Sequence, residues 1–267
     1  MRINNGNSVV FYHEDDKNEG TPFIFLHGLG GDTGQTMGLM RPTKGLRRIS
    51  MDFRGHGKTI DFGKPENFSF ERFSKDVLSL ADHLGLEQFY LGGISTGAGT
   101  ALRVALDYPE RVSKLVLSRP AWEDKPQSED IQHAFKMIHT ILQDDSILDK
   151  KQAYRQTSIY QKMNSQAEYA GSTLLSQFDY AFARETSEKL IRIPADCPNN
   201  DREEWKKLAM PTLVLASKLD PIHPYSYGAL LSNYIHDAKF VEITPKEISG
   251  EKHNEDSYQA IREFLLT

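Results

Sequence analysis

A chain of 267 residues with 39 % hydrophobic content is long enough to bury one large core, alone or with a subdomain, and reads as globular. Its net charge is −5 and its basic residues are scattered, which excludes an electrostatic footprint for nucleic acid or an anionic membrane surface. A single cysteine, Cys197, excludes an internal disulfide. With no run of about 18 apolar residues and no apolar secretion signal at the start, the expectation is a soluble cytoplasmic protein.

Taken in order, Val9, Val10, Phe11 and Tyr12 predict an early strand over residues 8–13, with a polar turn over 14–20. Residues 22–26, Pro-Phe-Ile-Phe-Leu, form an unbroken apolar run, as in a strand buried on both faces of a parallel sheet. It ends in His27-Gly-Leu-Gly-Gly-Asp32. That loop lacks the lysine and hydroxyl of a phosphate cradle and the dinucleotide spacing, so its exposed amides suit a developing negative charge instead, with the Leu29 N–H as a donor. A strand over 47–53 leads into a glycine-punctuated loop, Asp52 to Thr59. Ser69 then caps a helix carrying Phe73, Val77, Leu80 and Leu84 at helical spacing, and Gly85 stops it.

Residues 88–100 change character midway. A strand-like run passes into Gly93-Ile94-Ser95-Thr96-Gly97 and then an amphipathic segment, so the chain must turn sharply near Ser95. A serine on such a strand-to-helix turn is exposed by a strained backbone, and the flanking glycines allow close approach. A further strand covers 114–118. Over 121–207 helical periodicity replaces strands, in segments near 131–142, 154–163 and 174–191. Strand and helix resume at 212–217, 225–235, 239–244 and 256–266. Alternation on both sides of a helical insertion indicates an α/β protein with a mostly parallel sheet. An insertion leaving the carboxyl edge of that sheet is placed to act as a lid.

His27-Gly28, Asp52-x-Arg54-Gly55-x-Gly57-x-Thr59, Gly93-x-Ser95-x-Gly97, Tyr-Pro-Glu-Arg-Val at 108–112, Met-Pro-Thr-Leu-Val-Leu at 210–215, and Asp220 before His253 together resemble the α/β-hydrolase fold superfamily, in its capped serine esterase-like branch. The resemblance covers about two thirds of the chain, the segments on either side of the insertion. It implies a mostly parallel central sheet with helices on both faces. The core would comprise residues 1–120 and 208–267, with a helical cap at 121–207. It also implies a triad in the order serine, acid, histidine, with no cofactor or metal, a small-molecule acyl substrate, and no nucleic-acid or membrane partner. Oligomeric state is left open.

Within that frame Ser95 is the nucleophile. Asp220 follows the 212–217 strand at the sheet edge that also holds Ser95, and is the expected acid. Nine histidines compete for the base. His27 is expected to bond loop backbone, His56 to lie at the surface, and His223, three residues past Asp220, to point away. His253, expected in the loop after the last strand, is the base, and a neighbouring Asp220 carboxylate would raise its pKa. Its approach, Ser249-Gly250-Glu251-Lys252, departs from the family's usual glycine directly before the histidine. The second oxyanion donor is the Thr96 N–H, and Trp122, at the start of the insertion, is expected to wall the substrate pocket. Ester hydrolysis through an acyl-enzyme is the reading; lactone or carbon–carbon bond hydrolysis, perhydrolysis, hydroxynitrile cleavage, or a non-catalytic receptor that kept its pocket are alternatives on the same fold.

Overall fold

The computed structural model describes residues 9–267. Its seven strands are β1 (His13–Asp15), β2 (Gly20–Leu26), β3 (Gly45–Met51), β4 (Phe89–Ile94), β5 (Val112–Ser118), β6 (Thr212–Ala216) and β7 (Lys239–Glu242). They lie in one sheet in the order β1-β3-β2-β4-β5-β6-β7. Only β1 is antiparallel, with His13 opposite Met51. The apolar runs behave as strands covered on both faces. Ile24 and Leu26 enter one core cluster while Phe23 and Phe25 enter the other, and Leu115 and Leu117 part from Val116 in the same way. This period-2 split is what a strand between two helical layers requires.

Helices α2 (Phe70–His83), α3 (Thr96–Asp107) and α9 (Tyr225–Tyr234) pack into the first cluster; α1 (Thr33–Leu39) and α10 (Gly250–Leu266) pack into the second. Ser69 caps α2 by accepting from the Arg72 N–H, and Gly85 follows at φ 68°, a backbone state that favours glycine. The early strand is displaced from its expected place. Ser8 lies outside the described residues, and regular pairing occupies His13–Asp15, held where Asp15 and Asp16 accept from Arg47 and Arg48.

Between β5 and β6 lie α4 (Glu129–Gln143), α5 (Lys150–Arg155), α6 (Ser158–Gln166), α7 (Glu168–Leu175) and α8 (Lys189–Ala195). The helix expected over 154–163 is two, because the Thr157 hydroxyl caps a fresh start by accepting from the Tyr160 N–H. The helix expected over 174–191 is mostly turns. There the Thr186 and Ser187 hydroxyls bond to the carbonyls of Phe182 and Arg184. The segment has its own apolar cluster, including Ile131, Phe135, Ile138, Tyr154 and Leu174, which also takes in Ile222 and the edge of Leu29. Polar contacts tie it to the sheet's loops: Tyr180 Oη donates to Gly57 O at 2.8 Å and Lys189 Nζ to Gly55 O at 2.7 Å. Among the described residues no helix is long and apolar enough to cross a membrane.

Candidate active site

Ser95 sits between β4 and α3 at φ 56°, ψ −112°, a conformation that strains any residue with a side chain. The flanking glycines are demanded by contact. A Cβ on Gly93 would meet Gly97 C at 2.1 Å, and one on Gly97 would meet Leu26 O at 2.3 Å. The turn is held by Ser95 N–H to Ser118 O and Gly99 N–H to Ser95 O, each 3.0 Å. The serine hydroxyl does not cap the helix, so it is not spent on structure. Of five non-glycine residues with left-handed φ among those described, three are Ser95, Arg119 and Leu219, each just past the carboxyl end of β4, β5 or β6. Backbone strain gathered at one sheet edge is a feature of functional sites.

The loop after β2 is braced from several directions. His27 Nε2 accepts from the Phe53 N–H at 3.0 Å, so its Nδ1 carries the proton and donates to Gly28 O at 2.8 Å. Burial lowers the His27 pKa to about 4, which suits this neutral backbone-bonding role. Gln35 Oε1 accepts from the Gly28 N–H at 2.7 Å. Asp52 explains part of the following motif: it accepts from the Thr33 and Lys58 N–H groups, both at 2.7 Å, while a Cβ on Gly57 would overlap its carboxylate. Arg54 makes a bidentate pair with Asp76, both at 2.8 Å and fully buried. His56 is not at the surface as expected. It is buried, with Nδ1 2.9 Å from Arg54 O. Neither the Leu29 nor the Thr96 N–H is bonded to another group among the described residues, and Thr96 is the first residue of α3. Gln177, from the insertion, lies against Gly30 beside this loop.

The acid and the histidines depart from expectation. Asp220 accepts from Arg119 Nη2 at 2.6 Å and Nε at 3.1 Å, and from the N–H groups of Ile222 and His223. His223 does not point away. It is buried, and its Nδ1 lies 3.0 Å from both Asp220 oxygens, because the turn after Pro221 folds it back over the carboxylate. Burial raises the Asp220 pKa, but His223 and Arg119 outweigh it through charge and hydrogen bonds and hold the carboxyl well below its ordinary range. His253 makes no hydrogen bond to Asp220; its Nδ1 is 2.7 Å from Thr244 O. It stands in the first turn of α10 and not in a loop, since Ser249 caps that helix early by accepting from the Lys252 N–H. Burial, then the charge of Arg119, pushes its pKa down to about 4, opposite to the expected rise.

His253 lines a cavity of about 370 Å3 with Ile94, Ser118, Arg119, Lys246 and Gln35 among its neighbours. Trp122 is not part of that cavity. It is 2 % exposed in the main core, edge-on to Phe70 with ring centroids 5.0 Å apart, and faces a void of about 10 Å3 with Leu102, Leu117 and Leu231. Gln35, Arg119, Thr244 and Lys246 escaped the sequence reading. Only Arg119 carried a signal, its position directly after a strand on the edge that bears Ser95.

A family model described as alpha/beta hydrolase fold matches residues 21–149. The chain is 22 % identical to a pyrrolizixenacetamide deacetylase of Xenorhabdus hominickii, over 100 % of this chain and 98 % of that one. It is 24 % identical to 3-oxoadipate enol-lactonase 1 of Acinetobacter baylyi, over 91 % and 87 %. Among solved structures, an esterase from Exiguobacterium antarcticum superposes with a TM-score of 0.77 at 18 % identity, covering 100 % of this chain and 99 % of that one. With a mostly parallel sheet, a strained serine elbow and structural neighbours that superpose over the whole chain, the protein has the α/β-hydrolase fold.

Proposed function

We propose that the protein is a serine hydrolase acting on a carboxylic ester or a related small acyl compound. The observation that carries this reading is Ser95 itself, a non-glycine residue in left-handed backbone whose hydroxyl serves no structural bond, beside the uncommitted N–H groups of Leu29 and Thr96. Relatives named as a deacetylase and an enol-lactonase, and a structural neighbour named as an esterase, support acyl chemistry.

In this mechanism His253 Nδ1–H donates to Thr244 O, leaving Nε2 unprotonated to take the Ser95 proton as Oγ attacks the carbonyl carbon. The Leu29 and Thr96 N–H groups receive the oxyanion. Collapse breaks the bond to the leaving oxygen, which takes the proton from His253. Water, deprotonated by the same histidine, then attacks the acyl carbon; the acyl–Oγ bond breaks, Ser95 Oγ takes the proton back from His253, and the acid leaves. Asp220 completes the triad as a fixed negative charge that favours the imidazolium through space, while orienting Arg119 and His223. Residues 121–207 form the cap that excludes water over this site.

A second assignment of the base has one observation in its favour: Asp220 bonds to His223 and not to His253. Either way Ser95→Ala is expected to lower kcat/KM on a p-nitrophenyl ester by about 10⁴-fold or more, with the circular dichroism of the parent retained. Activity within about tenfold of the parent would remove Ser95 from the mechanism.

A further inference from the structure

The cavity beside His253 is unevenly charged. Its wall includes Arg119 and Lys246 and the polar groups of Gln35, Ser118 and Asn254, and no carboxylate among the described residues. Arg119 is paired with Asp220, whose Oδ2 accepts from both its Nε and its Nη2. Lys246 is not. It is half-buried, forms no ion pair with a described carboxylate, and has one hydrogen-bond partner, the Tyr169 hydroxyl at 2.6 Å. An ammonium carries three donors, so two remain for a ligand. Tyr169, from α7, fixes the side chain further, with its ring centroid 4.7 Å from Lys246 Nζ and 5.7 Å from Arg119 Cζ. A half-buried cation without a counter-ion, positioned by a tyrosine at a cavity with no acid, is a site prepared for an anion.

We propose that this cavity binds the carboxylate of an acyl substrate, with Lys246 Nζ as its principal cation and the Arg119 face beside it. The proposal rests on the serine-hydrolase reading and narrows it to half-esters and related acyl compounds whose acyl chain ends in a carboxylate. The cavity wall includes His253, the base of that reading, and Ile94, the residue before Ser95; Ser95 itself is not in the wall. Leu39 and Ile94 supply apolar surface for a short methylene chain. An anion there also faces Lys246, whose charge disfavours the His253 imidazolium.

The test compares p-nitrophenyl hydrogen glutarate with neutral p-nitrophenyl pentanoate, reading the ratio of their kcat/KM values. The parent is expected to favour the half-ester, Lys246→Met to lower that ratio by about 10- to 100-fold, and Lys246→Arg to restore most of it. No preference in the parent, or equal losses on both esters in Lys246→Met, would overturn the subsite. Calorimetric binding of glutarate to Ser95→Ala, with and without Lys246→Met, separates the two levels of the reading. If neither ester turns over but glutarate binding requires Lys246, the hydrolase reading fails and the anion site stands. Equal glutarate binding with and without Lys246→Met overturns the site, whatever the turnover.

Discussion

Asp220 is committed twice over, to Arg119 and to His223, and all three side chains are buried. In a triad whose acid only orients a histidine, Asp220→Asn leaves the shape of the site intact and slows the chemistry. Here it also strands the Arg119 guanidinium without its carboxylate. Asp220→Asn is therefore expected to cost about 3–5 kcal/mol of stability, the range for breaking a buried ion pair from one side, seen as a lower urea midpoint. An unchanged midpoint would show that Arg119 and Asp220 do not depend on each other. Ser95 and its glycines were readable because the elbow is local, its constraints lying within a few residues. The Arg119–Asp220 pair spans 101 positions of sequence, so the partner that diverts the acid could not be found from spacing.

At the scale of elements, α8 is pinned to the loop after β3 by a buried amine. Lys189 is 3 % exposed, with Nζ on Gly55 O and 4.4 Å from the Tyr180 ring centroid, and burial lowers its pKa from the ordinary 10.5 to about 7. Between those values the unfolded chain holds a proton that the folded chain has released, so raising the pH from about 7 towards 10 favours the folded state. Below about 7 both states are protonated and the penalty for the buried charge is present in full. Lys189→Met keeps the apolar stem and removes the charge. Its gain in melting temperature over the parent is expected to be largest at neutral pH and to shrink by pH 10. A difference that does not vary with pH would contradict the burial of that charge. Helices with clear apolar periodicity, such as the capped α2 and also α4, whose N-cap makes no side-chain bond, were legible. The stretch around residues 176–188 was not, since its apolar spacing falls on successive turns and not on one helix.

In the molecule as a whole, a sheet covered on both faces brings the ends of β4, β5 and β6 together, and loops from distant parts of the chain meet there. The alternation of strand and helix made that architecture legible. Trp122 adjoins the insertion in sequence but lies away from the cavity beside His253; its ring turns into the main core against Phe70. His253 and His223 both belong to this edge, but one holds a backbone carbonyl and the other the acid. Their division of labour decides the mechanism. The direct measurement is the rate at which a fluorophosphonate modifies Ser95, followed by peptide mass spectrometry in the parent, His253→Ala and His223→Ala. Labelling of Ser95 in the parent, about 10³-fold slower in His253→Ala and within about tenfold in His223→Ala, is the expected result. A label found elsewhere, or a silent His223→Ala beside an active His253→Ala, would contradict it.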